Sequence, residues 1–334
     1  MSKLVLIGIM PAAQKTSVRG GLTDCIIVDA AGWAAVLQKP VKGIALSKRK
    51  SLTNRLMQLQ TGLETLARQT PILPAHFGTL FGSSEEVEAF LIANSSAIGD
   101  AFDDYGNTWQ FQIEVRWKPE EALATLSSCQ LQTMPQDPKS IADTLASALE
   151  TERQRLTDQM EAILQPNCMQ LASLPVLDET EVARFVALID RSNETSLDAA
   201  VEAVDALASD LFTIRYLGPL PACSFASISC EQVSLEALTD AERILAISPG
   251  ANATTIQKAF RNKVRQEHPD AKPGLRTESA DMSTTRQARD LLLKAGEMRT
   301  ALNHSNYETN LPALKVHRDL DAGADAPSHG SAAA

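Results

Sequence analysis

Thr108-Trp109-Gln110-Phe111-Gln112-Ile113-Glu114-Val115-Arg116-Trp117 is the stretch on which the fold turns. Apolar side chains stand at every second position, and the residues between them are polar or charged. A period of two places Trp109, Phe111, Ile113, Val115 and Trp117 on one face of a strand and Gln110, Gln112, Glu114 and Arg116 on the other. One face is expected to pack and the other to meet water.

Working outward from this strand, helices and strands alternate. Upstream, Leu4–Ile9 reads as a buried strand, and Asp24–Asp29 and Trp33–Leu37 as a hairpin broken at Gly32. Ser47–Gln69 is a helix, with Leu52, Leu56, Leu59, Leu63 and Leu66 three and four residues apart, stopped by Pro71 and Pro74. Ser83 or Ser84 caps the next helix, whose first turn carries Glu85, Glu86 and Glu88. Downstream, Pro135 and Pro138 mark a boundary, and Ser140–Leu164 is a long amphipathic helix. A strand at Val182–Asp190, an Ala-rich helix at Ser196–Ser209 and a strand at Leu211–Leu217 follow.

From Ser234 the pattern is helical only, and beyond about Asn303 it loses its period. The expected fold class is therefore α+β. Two small α+β domains span residues 1–134 and 135–232, with a ferredoxin-like arrangement open for the first. A helical module follows at 233–303, then a disordered tail at 304–334.

Composition narrows the function. The chain has 334 residues and a net charge of -10, with the excess of acids in residues 1–235 and a slightly basic stretch at 236–303. An acidic protein with 4% aromatics is a poor candidate for nucleic acid. The apolar run Leu4–Met10 is too short for a membrane span or a signal peptide, so a cytoplasmic chain is expected. The five cysteines are scattered, without CxxC spacing, and read as reduced. No zinc-ligand spacing, calcium loop, phosphate-binding glycine loop or nucleophile elbow is present. Neither catalytic residues, nor a cofactor, nor a metal are expected, and the chain reads as no enzyme.

Three segments carry a family resemblance. The first is Leu73-Pro74-Ala75-His76-Phe77-Gly78-Thr79-Leu80-Phe81, the second the strand Trp109–Trp117, and the third Tyr216-Leu217-Gly218-Pro219-Leu220-Pro221-Ala222-Cys223-Ser224-Phe225. On its own chemistry, Pro74 fixes φ before a strand, and Gly78 permits a bulge or close backbone approach. Pro219 and Pro221 cannot donate to a ladder and belong on an edge or in an extended connection. Each of these positions also has a purely architectural reading. In order and spacing the segments resemble the gas vesicle accessory F/L family, with Pro74, Phe77, Gly78, Thr79, Gly218, Pro219, Pro221 and Phe225 at its motif positions. The resemblance implies function by contact, with the small hydrophobic gas vesicle shell protein, the nascent vesicle and other gas vesicle accessory proteins as partners.

A second constellation lies in the C-terminal third. Thr239-Asp240-Ala241-Glu242 reads as a capping box opening a short helix. Asn252 caps a second helix with Ile256, Ala259, Phe260 and Val264 on one stripe and Lys258, Arg261, Lys263 and Arg265 beside it. His268-Pro269-Asp270 follows, then a polar loop and a helix carrying Ala288, Leu291, Leu292, Ala295, Met298 and Leu302. This order resembles a J domain, the module that engages an Hsp70-type chaperone. The resemblance implies that the basic helix meets an acidic partner surface, while His268, Pro269 and Asp270 contact the chaperone. Together the two resemblances imply a gas vesicle assembly factor with a built-in co-chaperone. The alternative is a minor structural component of the vesicle whose helices only dock on other proteins.

Overall fold

The computed structural model describes residues 3–16, 25–39, 49–118, 121, 137–208, 211–267, 279–302, 310–318 and 320. In chain order the elements are β1 (Leu4–Pro11), β2 (Cys25–Ala30), β3 (Trp33–Gln38), α1 (Arg49–Gln69), β4 (Leu73–Pro74), β5 (Leu80–Phe81), α2 (Ser84–Ala93), α3 (Ser95–Tyr105) and β6 (Thr108–Trp117). Next come α4 (Pro138–Leu164), β7 (Gln170–Leu174), β8 (Glu181–Asp190), α5 (Glu194–Asp205), β9 (Phe212–Leu220) and β10 (Ser227–Val233). The last are α6 (Leu235–Leu245), α7 (Ala253–Glu267), α8 (Ser279–Ala301) and β11 (Leu311–His317). They form two compact units.

The first unit comprises Met1–Gly62, Ala75–Phe102 and Ile228–Val316. Its sheet runs β2-β3-β1, all antiparallel, with β5 also paired to β1. The β2–β3 hairpin closes at Ala31-Gly32, both at positive φ, the conformation that matches the twist of the flanking strands. Ala34, Ala35, Val36 and Leu37 of β3 are all buried, because β3 is the inner strand and α2 lies against it. Farther along, α6, α7 and α8 share a core of Leu238, Leu245, Ile256, Leu292 and Met298.

The second unit comprises Leu63–Pro74, Asp103–Ser227 and His317–Ala334. Here β6, α4, β7, β8, α5 and β9 follow one another as βαββαβ, and the sheet order is β7-β8-β6-β9 with every pair antiparallel. That is the ferredoxin-like arrangement. It belongs to this unit and not to residues 1–134: β6 precedes the expected boundary at Pro135, and its partners β8 and β9 follow it. Residues 1–134 did not show this, because strand pairing over such separations leaves no local trace.

Two expectations about the C-terminal third are corrected. Residues 304–334 are not one structureless tail, since Leu311–His317 is a strand whose Leu311, Ala313 and Leu314 are buried. Its partner is β10, far away in sequence. The helix expected to open at Thr239 starts one turn earlier. Ser234 is its N-cap, accepting from the Ala237 N–H, and Thr239 sits inside the helix with its hydroxyl donating to the Leu235 carbonyl. The alternation of β6 also departs from its period at Gln110, which is 3% exposed and does not face water.

Candidate functional site

Gln110 is buried because the Gly-Pro segment wraps over it. Its Nε2 donates to Ser224 Oγ and its Oε1 accepts from the Ser224 N–H, both at 2.9 Å. One amide thus satisfies the turn after β9, and the turn satisfies the amide. Replacing Gln110 with alanine is expected to cost about 2 kcal/mol, since Ser224 is left with unanswered polar groups. Urea unfolding followed by circular dichroism checks this.

The same segment explains its glycine and prolines. Among the described residues β9 pairs with β6 alone, which makes it the edge strand on which proline is tolerated. Its register with β6 shifts between Gln110 and Gln112, where Gly218 and Pro219 sit. Phe111 and Tyr216 stack at 5.1 Å between centroids and 16° between planes, and Tyr216 Oη donates to Asp198 at 2.9 Å. Burial, followed by this carboxylate, drives the Tyr216 pKa far above its usual range. Pro221 and Phe225 are buried below the turn.

The first motif is built differently. Pro74 is buried, whereas Phe77 is 48% and Leu80 46% exposed. Gly78 has φ +90°, which a residue with a Cβ adopts only under strain, and no atom lies close to where that Cβ would be. The close approach expected of this glycine is not seen; what it supplies is a positive-φ turn, which the sequence reading did not name. Thr79 fixes the turn, its N–H and Oγ1 both donating to the His76 carbonyl. The Leu6 N–H donates to the Thr79 carbonyl, and the His76 N–H to that of Ile228. The exposed Phe77 is therefore held on a pinned turn.

The sequence singled out no charged residue in β6, yet Arg116 gathers a cluster. It pairs with Glu114, with Asp178 at 3.4 Å and with the buried Glu181 at 2.7 Å, and it donates to Thr180. Hydrogen bonds from Thr180, with a smaller part from Arg116, hold the Asp178 carboxyl below its usual range, and the Glu114 hydrogen bond raises that of Arg116. This cluster ties the β7–β8 connection to β6. Only the neighbourhood of Thr180 and Glu181, more than sixty residues on, gives Arg116 that role.

On α7, Lys258, Arg261 and Arg265 are exposed. Lys263 is not available in the same way, because its Nζ donates to the Ile244 carbonyl near the end of α6. A cation at a helix C-terminus answers carbonyls that the helix leaves open. Phe260 lies under the Arg289 guanidinium of α8, 4.3 Å from ring centre. His268, Pro269 and Asp270 lie outside the described residues. Among the described residues no group of three or more His, Cys, Asp or Glu is placed to hold a metal ion. No described helix is long and apolar enough to cross a membrane.

The two motif segments and β6 thus sit within one stretch of chain, and that stretch is what known proteins share. The model of the gas vesicle synthesis protein GvpL/GvpF family matches residues 6–227. The chain belongs to this family. The GvpL/GvpF match ends before α6, so the C-terminal helices lie beyond it. Among solved structures, the gas vesicle protein GvpF from Anabaena sp. PCC7120 is similar, at 15% identity and a TM-score of 0.51, over 66% of this chain and 97% of that one. At that identity the likeness speaks for the fold. GvpF from Microcystis aeruginosa aligns at 16% identity and a TM-score of 0.47, over the same shares. No curated protein sequence matches the chain. Membership in the GvpL/GvpF family gives the chain a role in gas vesicle formation.

Proposed function

We propose that this chain is a gas vesicle assembly factor that binds the shell protein or the nascent vesicle, and that its C-terminal helices recruit and stimulate an Hsp70-type chaperone. The body of the chain selects the client, and other gas vesicle accessory proteins meet it there. It works in the cytoplasm on vesicles, with no nucleic acid and no membrane among its partners. The chain is no enzyme in this reading and holds no cofactor, because the ATP chemistry belongs to the chaperone.

The observation that carries the chaperone half is the placement of His268-Pro269-Asp270 in the sequence. The tripeptide follows α7, whose Lys258, Arg261 and Arg265 are exposed, and precedes α8, which packs against α6 and α7. Steady-state ATP hydrolysis by a purified Hsp70, with and without the full chain, tests it. The wild-type chain is expected to stimulate and His268→Gln to abolish the stimulation. A wild-type chain that leaves the rate unchanged sinks the chaperone half.

A second reading is favoured by Lys263 and by the packing of α8 against α2. Both treat the helices as a built-in part of the first unit. In it the chain is a minor structural component of the vesicle, and the helices only dock on other proteins. His268→Gln would then still support vesicle formation and stay with purified vesicles.

A further inference from the structure

We propose that β11 is a strap, latched by the Asn94 side chain, that holds the helices α6–α8 to the N-terminal part of their unit and frees them when it opens. Asn94 lies between α2 and α3 and is 3% exposed. Its Oδ1 accepts from the Leu314 N–H at 2.8 Å. Its Nδ2 donates to the Pro312 carbonyl at 2.6 Å and to the Phe90 carbonyl at 2.8 Å. One amide therefore joins α2 to two backbone groups of β11 more than two hundred residues away.

The helices are hooked to the same strand. Lys294 of α8 donates from Nζ to the Leu314 carbonyl at 2.8 Å. Leu314 thus has its N–H held by α2 and its carbonyl held by α8. Side chains take both of these groups. Among the described residues β11 has one strand partner, β10, and the pair is reinforced by Lys315 and Glu231 at 2.6 Å. A two-stranded pair is marginal in water, and β10 is paired further only by the bridge of Ile228 to Ala75 among the described residues, so β11 depends on what latches it. The strands also bracket the helices: β10 ends at Val233, β11 starts at Leu311, and α6–α8 lie between them in sequence. Leu311 and Ala313 reach into the core of those helices. Opening the strap would therefore release their base and uncover one side of their core together.

Hydrogen exchange of the full chain, followed by mass spectrometry, tests the latch. Asn94→Ala is expected to speed exchange about tenfold or more in peptides covering Leu311–Val316 and Ala288–Ala301, with peptides of β8 unchanged. Asn94→Asp keeps the acceptor for the Leu314 N–H and loses both donors, so its rates should fall between. Lys294→Met cuts the second hook and leaves α2 untouched. It should loosen the same peptides even where Asn94→Ala yields no folded chain. Unchanged rates in β11 and α8 in these variants overturn the proposal. So does an equal rise over β1, β3 and α2, because Asn94 would then support the whole unit.

Discussion

Gly218→Ala is expected to destabilise the second unit by about 3 kcal/mol and to lower its thermal midpoint by roughly 8 °C. The added Cβ would stand 2.5 Å from Phe111 Cε1 and 2.8 Å from Cγ, and closer still to Cδ1. Phe111 cannot yield cheaply. It is buried in the inner strand β6, and its ring is stacked on Tyr216. Close-packed interiors answer an extra methyl with displaced rings or displaced backbone. The backbone conformation of Gly218 is not the cause, since its φ lies outside the left-handed region. The prediction is therefore specific to the contact. In the background of Phe111→Leu, the same Gly218→Ala change should cost distinctly less, and a double-mutant cycle reads the difference. Differential scanning calorimetry and urea unfolding check it, and equal costs in both backgrounds would refute the contact.

Arg191→Ala is expected to cost about 3 kcal/mol, for a different reason. Arg191 follows the last residue of β8. Its Nη1 donates to the Ala67 carbonyl at 2.8 Å and its Nη2 to the Thr70 carbonyl at 3.3 Å. These carbonyls lie at the C-terminal end of α1, where the helix dipole favours a cation. The guanidinium also lies 3.8 Å from the centre of the Trp109 ring. Burial pulls its pKa below the usual arginine value, and so high a starting point leaves it charged. Arg191→Lys should recover less than half of the loss, because a single ammonium cannot bond both carbonyls and stack as a plane. Urea midpoints of the three proteins decide this. A lysine variant as stable as wild type would mean that only the charge matters.

Both predictions rest on β6, and they show how the sequence was and was not readable. Trp109 and Phe111 were placed on a packed face by their period alone, and both are buried. Gln110 obeyed the same period and was wrongly given to water, because nothing local announces Ser224. Asn252 is legible as a cap from its chemistry, and of the two candidates Ser83 and Ser84 the structure selects Ser83; each cap accepts from an N–H three residues on. Ser234 was missed as the cap of α6 because Thr239-Asp240-Ala241-Glu242 offered the stronger local pattern. Of the basic residues on α7, the stripe was legible, but the diversion of Lys263 to Ile244 was not.

The sequence by itself determined the strands and helices with a clear period, the α+β class, and the family, whose segments keep order and spacing. These depend on neighbours along the chain. Only the tertiary structure decided that the ferredoxin-like arrangement begins at β6, that Leu311–His317 is a strand, and that Gln110 and Asn94 are buried amides bonded to partners far along the chain. Gln110 meets Ser224 across 114 residues and Asn94 meets Leu314 across 220. A hydrogen bond over such a separation leaves no repeat in composition or period, so it exists for a reader only once the chain has folded.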